Sequence, residues 1–231
     1  MNNQKILFKA IVGSQAYNLA TEESDTDRRG VYLETSEQIY GLKKAEPSHF
    51  PEDPNDTTYP FKHFISLLSK GNPNIIELCF LRDEFIEYIH PLFKKYVIDS
   101  RERFISKTLV KSYLGYATHQ MHLVEKNGRE RYSVNNYDGK AAMHMARLFL
   151  QLNNLVSIGD PLVYVDHKDK IFLMNVRLGK VYATLDHFRD QVSAWEIVAK
   201  DHINSSKLKD TVDFDWVNNM MIEFYKEVYN A

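Results

Sequence analysis

Cysteine is almost missing from this chain: Cys79 is the only one in 231 residues. No disulfide can form within the chain and cysteine-ligated zinc is excluded, so a reducing, cytoplasmic compartment is the expected home. Long hydrophobic runs are missing too. No stretch approaches the roughly 18 apolar residues of a membrane span. The opening "MNNQKILFKAIV" has an apolar run too short for a signal-peptide core, so no membrane partner is expected. Neither charge dominates: 29 basic against 31 acidic residues leave a net charge of -2. That balance excludes the global electrostatics of a histone-like nucleic-acid binder and leaves room only for a local basic face. Low-complexity tracts and repeats at a solenoid period are also absent. What is present is core material, 44% hydrophobic and 13% aromatic. It is enough for one large domain or two small ones.

The apolar pattern changes character along the chain. "KILFKAIVG" reads as a strand buried on both faces and ending at Gly13. "SQAYNLA" can open a short helix with Ser14 as its N-cap. "DTDRRGVYLE" reads as a second strand, and Ser36 to Pro60, with "PEDPND" at its centre, as a polar excursion or long loop. "YPFKHFISLLSKG" has helical spacing and a glycine, Gly71, placed to end it. "NIIELCFL" reads as a third strand. From Phe85 onward, Phe85 to Val97, Ser106 to Lys126, Asp138 to Ser157, Leu185 to Ile203 and Asp213 to Tyr229 carry period-3.6 apolar faces. Between two of them stands an interruption, "GDPLVYVDHKDKIFLMNVRLGK". The expected organisation is an α/β unit over residues 1–84 and a helical unit over 85–231, with a cleft where they meet.

Within the first unit the acidic residues are placed where a fold alone would not put them. On an extended strand, Asp25 and Asp27 would project to one face. Two carboxylates near 4 Å repel by roughly 1 kcal/mol in water and about 4 at an effective dielectric of 20, unless a cation lies between them. Mg²⁺ suits that place, because it takes oxygen ligands and keeps waters or substrate phosphates in its other positions. Glu77 stands inside an apolar run, where an unpaired carboxylate is costly, and it is expected to complete a three-carboxylate site for one or two metal ions. Gly13 would let the backbone approach a phosphate, and free N–H groups near Ser14 would bind its oxygens. Ordinary readings compete: "EESDTD" is also good turn composition, and Glu77 could pair with Arg28, Arg29 or Arg82.

Taken together, "GSQAYNLATEESDTDRRGV" resembles the active-site signature of the DNA polymerase beta-like nucleotidyltransferase superfamily. That signature is a Gly-Ser turn followed by Asp-x-Asp, with a later acidic residue on a neighbouring strand. "FKHFISLLSKGNPNIIELCFL" and "GKAAMHMARLF" narrow the resemblance to the RNA-ligase-associated polymerase type of bacteria and phages, extending to about residue 190. The resemblance implies an α+β fold: a small mixed β-sheet nucleotidyltransferase core with flanking helices, followed by a C-terminal helical domain. It also implies that Asp25 and Asp27 are the metal-binding pair, Gly13 and Ser14 the phosphate turn, and Glu77 the third carboxylate.

On the helix after Asp138, Lys140, His144, Arg147 and Gln151 share a polar face opposite Met145, Leu148, Phe149, Leu152 and Leu155. The functional reading makes Lys140, His144 and Arg147 nucleotide-binding residues that offset phosphate charge from the other wall of the cleft. The expected activity is transfer of a nucleoside monophosphate from a nucleoside triphosphate to an acceptor hydroxyl, dependent on Mg²⁺ or Mn²⁺ and releasing pyrophosphate. The acceptor is an RNA end, a protein or a small molecule. A non-catalytic nucleotide- or protein-binding module on the same fold is the rival, and retention of all three acids weighs against it.

Overall fold

A computed structural model describes residues 5–47, 56–126 and 133–230. The chain divides into two compact units, residues 1–104 with 212–231, and residues 105–211.

The first unit is built on a four-stranded mixed sheet. Its central strand is β1 (Ile6–Val12), in which Leu7, Phe8 and Ala10 are buried. A single helical turn, α1 (Gly13–Ala16), follows it directly, and β2 (Asp27–Tyr32) returns antiparallel to β1. After β2 comes α2 (Ser36–Tyr40), opened by a capping box in which Thr35 Oγ1 accepts the Gln38 amide while Gln38 caps the Thr35 amide. Next, β3 (Thr57–Pro60) lies parallel to β2. It runs straight into α3 (Phe61–Ser69), which buries Phe61, Phe64, Ile65 and Leu68. Gly71 ends that helix as expected: its φ is +72°, and the Gly71 and Asn72 amides bond back to Leu68 and Leu67. α4 (Pro73–Ile76) comes next, and β4 (Ile86–Ile89) pairs antiparallel with β1 on its other side, giving the order β3-β2-β1-β4. α5 (Pro91–Phe93) brings Phe93 against Phe8, with ring centroids 5.2 Å apart.

The second unit is helical. It comprises α6 (Lys107–Lys126), a short β5–β6 hairpin (Ser133–Val134, Tyr137–Asp138), α7 (Gly139–Ile158), α8 (His167–Arg177) and α9 (Leu185–Ser205). Asp138 caps α7 by accepting the Ala141 amide at 2.9 Å, and Gly159, at φ +71°, closes it. Tyr137, Tyr182, Phe188 and Trp195 pack as an aromatic cluster in its core. The last helix, α10 (Phe214–Asn230), belongs to the first unit, where Phe224 stacks on Phe61 at 4.0 Å.

The architecture is therefore α+β, a small mixed sheet with flanking helices and a helical C-terminal region. Four local expectations are corrected. The apolar run "NIIELCFL" is not a strand: Asn72 accepts the Asn74 amide, Pro73 occupies the first helical position, and the run continues from α4 into a 3-10 turn over Glu77–Phe80. A short apolar run fits a buried strand or a buried helix equally, and here the cap and the proline decide. Ser36 to Pro60, expected as loop, contains α2 and β3; its centre, residues 48–55, lies outside the described residues. Phe85 to Val97, expected as a helix, contains β4, so the sheet unit continues past residue 84. The interruption after α7 contains a further helix, α8.

Candidate active site

The junction of β1 and α1 brings Gly13 onto Asp27. Val12 stands opposite Asp27 in the β1–β2 register, so the residue after Val12 must pass the Asp27 side chain. Gly13 does so at φ +66°, and a Cβ placed on it would lie 2.5 Å from Asp27 Oδ2. Glycine is therefore required twice, by the left-handed backbone and by the carboxylate against its open face. Ser14 is not the N-cap of α1. Val12 holds that position, and Ser14 is the second residue of the turn. β2 begins at Asp27, which is half-buried, while Asp25 precedes the strand and is exposed. The shared-face argument for an extended strand therefore covers Asp27 but not Asp25.

Glu77 is only 4% exposed, on the 3-10 turn that follows α4. Its Oε2 accepts a 2.5 Å hydrogen bond from the Tyr17 hydroxyl. Tyr17 is the C-cap of α1, and its amide bonds to Gly13 O at 3.0 Å. Among the described residues, no group of three or more His, Cys, Asp or Glu side chains is gathered as a metal site. Asp25 and Asp27 nevertheless fit a hard divalent cation chemically: both are oxygen donors, and waters or substrate phosphates ordinarily complete such a shell.

A second buried carboxylate escaped the sequence reading. Asp56, 2% exposed, immediately precedes β3, and its Oδ1 accepts the amide of Arg28, the residue after Asp27, at 3.0 Å. The parallel β2–β3 register, Arg29 opposite Thr57, places it there. "PEDPND" reads as loop, which hid it. The available signal was an acid directly before "TTY", a β-branched and aromatic run. Arg28 sends its guanidinium to Glu87 on β4, with Nε 2.8 Å from Oε1.

In the second unit the polar stripe on α7 is buried over most of its length. Lys140 is exposed, but Arg147 and Gln151 are 2% and 1% exposed. Arg147 donates to Gln151 Oε1 at 2.7 Å, and its other amino group stands 3.2 Å from His144 Nδ1. Burial first, and then the charges of Arg147 and Lys140, push the His144 pKa down to about 3, so its ring is neutral near pH 7. Periodicity placed these residues on one side of the helix correctly. It could not reveal that this side is covered as well.

Residues 1–190 match the model of the RNA repair pathway DNA polymerase beta family. The chain belongs to that family. Family membership places the strand–Gly-Ser–Asp-x-Asp arrangement in the polymerase beta-like nucleotidyltransferase superfamily, associated with RNA repair. Superfamily members typically use divalent metals. The chain is also 28% identical over 129 residues to an uncharacterized 38.9 kDa protein in the nrdC-mobD intergenic region of Enterobacteria phage T4. That alignment covers 50% of this chain and 38% of the phage protein. No helix among the described residues is long and apolar enough to cross a membrane.

Proposed function

We propose that this protein is a metal-dependent nucleotidyltransferase that moves a nucleoside monophosphate from a nucleoside triphosphate to the hydroxyl of an RNA end. The observation that carries the reading is the packing of the Asp27 carboxylate against the open face of Gly13. A metal-binding acid and a close-approach backbone turn then meet at one point, as transfer at an α-phosphate requires. The RNA acceptor rests on the family description.

In this reading the backbone of the Gly13–Ser14 turn receives the triphosphate, and the missing Cβ of Gly13 leaves room for the Asp27 carboxylate beside it. Asp25 and Asp27 hold the cation. Mg²⁺ or Mn²⁺ bound there would neutralise triphosphate charge and lower the pKa of the attacking hydroxyl. The acceptor oxygen bonds to the α-phosphorus, the bond to the bridging oxygen breaks, pyrophosphate leaves, and the hydroxyl proton passes to water or a nearby carboxylate. In this reading the buried Asp56 completes the site and Glu77 does not ligate the metal. Asp56 is favoured for ligation by its hydrogen bond to the residue next to Asp27, whereas Glu77 is engaged by Tyr17.

The test is transfer of α-labelled nucleoside triphosphates to RNA ends in Mg²⁺ or Mn²⁺. Asp25→Asn and Asp27→Asn are expected to lose about 100-fold or more in rate. Asp56→Asn should fall with them. Wild-type protein that neither binds nor transfers any nucleotide would overturn the proposal.

A further inference from the structure

Glu77 is a buried acid within an apolar run, and its carboxylate accepts the Tyr17 hydroxyl. Its position is set by a capped helical turn and buried neighbours. Asn72 and Pro73 open α4, and Ile75, Ile76, Leu78 and Cys79 are buried on either side of Glu77. From this fixed base the carboxylate reaches 60 residues back along the sequence to the Tyr17 hydroxyl at 2.5 Å, the short end of hydroxyl–carboxylate bonds.

Tyr17 is in turn the last link of the Gly-Ser turn. Its amide closes on Gly13 O, the Leu19 amide bonds to Ser14 O at 2.9 Å, and Asn18 between them takes φ +60°. A four-residue helical turn has too few internal bonds to hold its own orientation. It needs an external anchor, and the tyrosine side chain supplies one.

We infer that Glu77 and Tyr17 are positioning residues: their hydrogen bond clamps the Gly13–Ser14 turn to the buried α4 segment and so fixes where the turn meets the triphosphate. The nucleotide part of this inference rests on the function proposed above; the clamp itself does not. The consequence is a specific distinction between two roles for one carboxylate. As a metal ligand, Glu77 cannot be replaced by glutamine without loss of charge and coordination. As an acceptor for Tyr17, it can, because a glutamine Oε1 takes the same O–H.

The experiment has two arms. In nucleotide-free protein, amide hydrogen exchange over residues 13–19 is measured in wild type, Tyr17→Phe, Glu77→Ala and Glu77→Gln. Exchange about tenfold faster in Tyr17→Phe and Glu77→Ala, with Glu77→Gln near wild type, supports the clamp. Unchanged exchange in Tyr17→Phe overturns it. In the kinetic arm, Tyr17→Phe is expected to raise KM for the triphosphate about tenfold with little change in kcat, and Glu77→Gln to stay within about threefold of wild type. The Tyr17→Phe/Glu77→Ala double variant should be no worse than the poorer single one. A folded Glu77→Gln as inactive as Asp27→Asn, with a raised Mg²⁺ requirement, would make Glu77 a metal ligand and sink the inference. If wild type transfers no nucleotide, the proposed function fails while the exchange arm still decides whether the clamp exists. Tyr17→Phe and Glu77→Gln are conservative, so the test does not depend on Glu77→Ala folding.

Discussion

Asp27 and Gly13 meet where β1 passes into α1. A methyl group at position 13 would need the space of Asp27 Oδ2 and would also have to adopt φ +66°. Gly13→Ala is therefore expected to cost about 1–3 kcal/mol in stability through backbone strain, and more in activity, because the carboxylate must move aside. Thermal unfolding and the transfer assay together check this: a variant with wild-type stability and rate would show that the approach is not essential. The turn at Gly13 was legible because a glycine closing an apolar run marks the end of a strand. Asp56 was not legible. Its burial depends on β3 pairing with β2, a contact between segments that sequence periodicity does not connect.

At the scale of elements, α7 shows how far periodicity reaches. The 3.6-residue spacing of Met145, Leu148, Phe149, Leu152 and Leu155 located the helix, and all five are buried. The opposite stripe is buried as well from Arg147 to Gln151, and within it His144 is kept neutral. The unfolded chain takes up the His144 proton near pH 6.5, and the folded chain only near 3. Between those values the unfolded state holds more protons, so this group lowers stability as the pH falls through that window. His144→Gln, which cannot titrate, is expected to show a shallower loss of unfolding midpoint between pH 6.5 and 4. Equal slopes in the two proteins would contradict the burial of the ring. The misread α4 carries the complementary lesson: an apolar run of that length has no period long enough to separate strand from helix, and the Asn-Pro start signal carried more information than the run itself.

Across the whole molecule, the sheet unit is closed by the far end of the chain. α10 packs Phe224 on Phe61, and the Tyr225 hydroxyl donates to the buried Glu34 at 3.0 Å. Glu34 also accepts the Lys62 amide at the start of α3, at 2.6 Å. This one carboxylate thus ties the end of β2 to α3 and to α10. Phe224→Ala should cost about 3–5 kcal/mol, because it empties a fully buried ring site. Denaturant unfolding checks it, and a loss below about 1 kcal/mol would show that α10 is dispensable to the unit's core. A division of the chain at residue 84 treated the C-terminal helices as one block, since amphipathic helices look alike whichever core they cover.

By itself the sequence determined the family, the α+β class, the ends of β1 at Gly13 and of α3 at Gly71, and most of the long helices. Those features are local: they reside in residue type, spacing and caps, which act within a few positions along the chain. Only the tertiary structure decided that Asp56 is buried and accepts the Arg28 amide, that Glu77 faces Tyr17, that Arg147 lies inside, and that α10 completes the first unit. Each of these is a contact between distant segments, fixed by which surfaces exclude water together, and one-dimensional spacing does not encode that pairing.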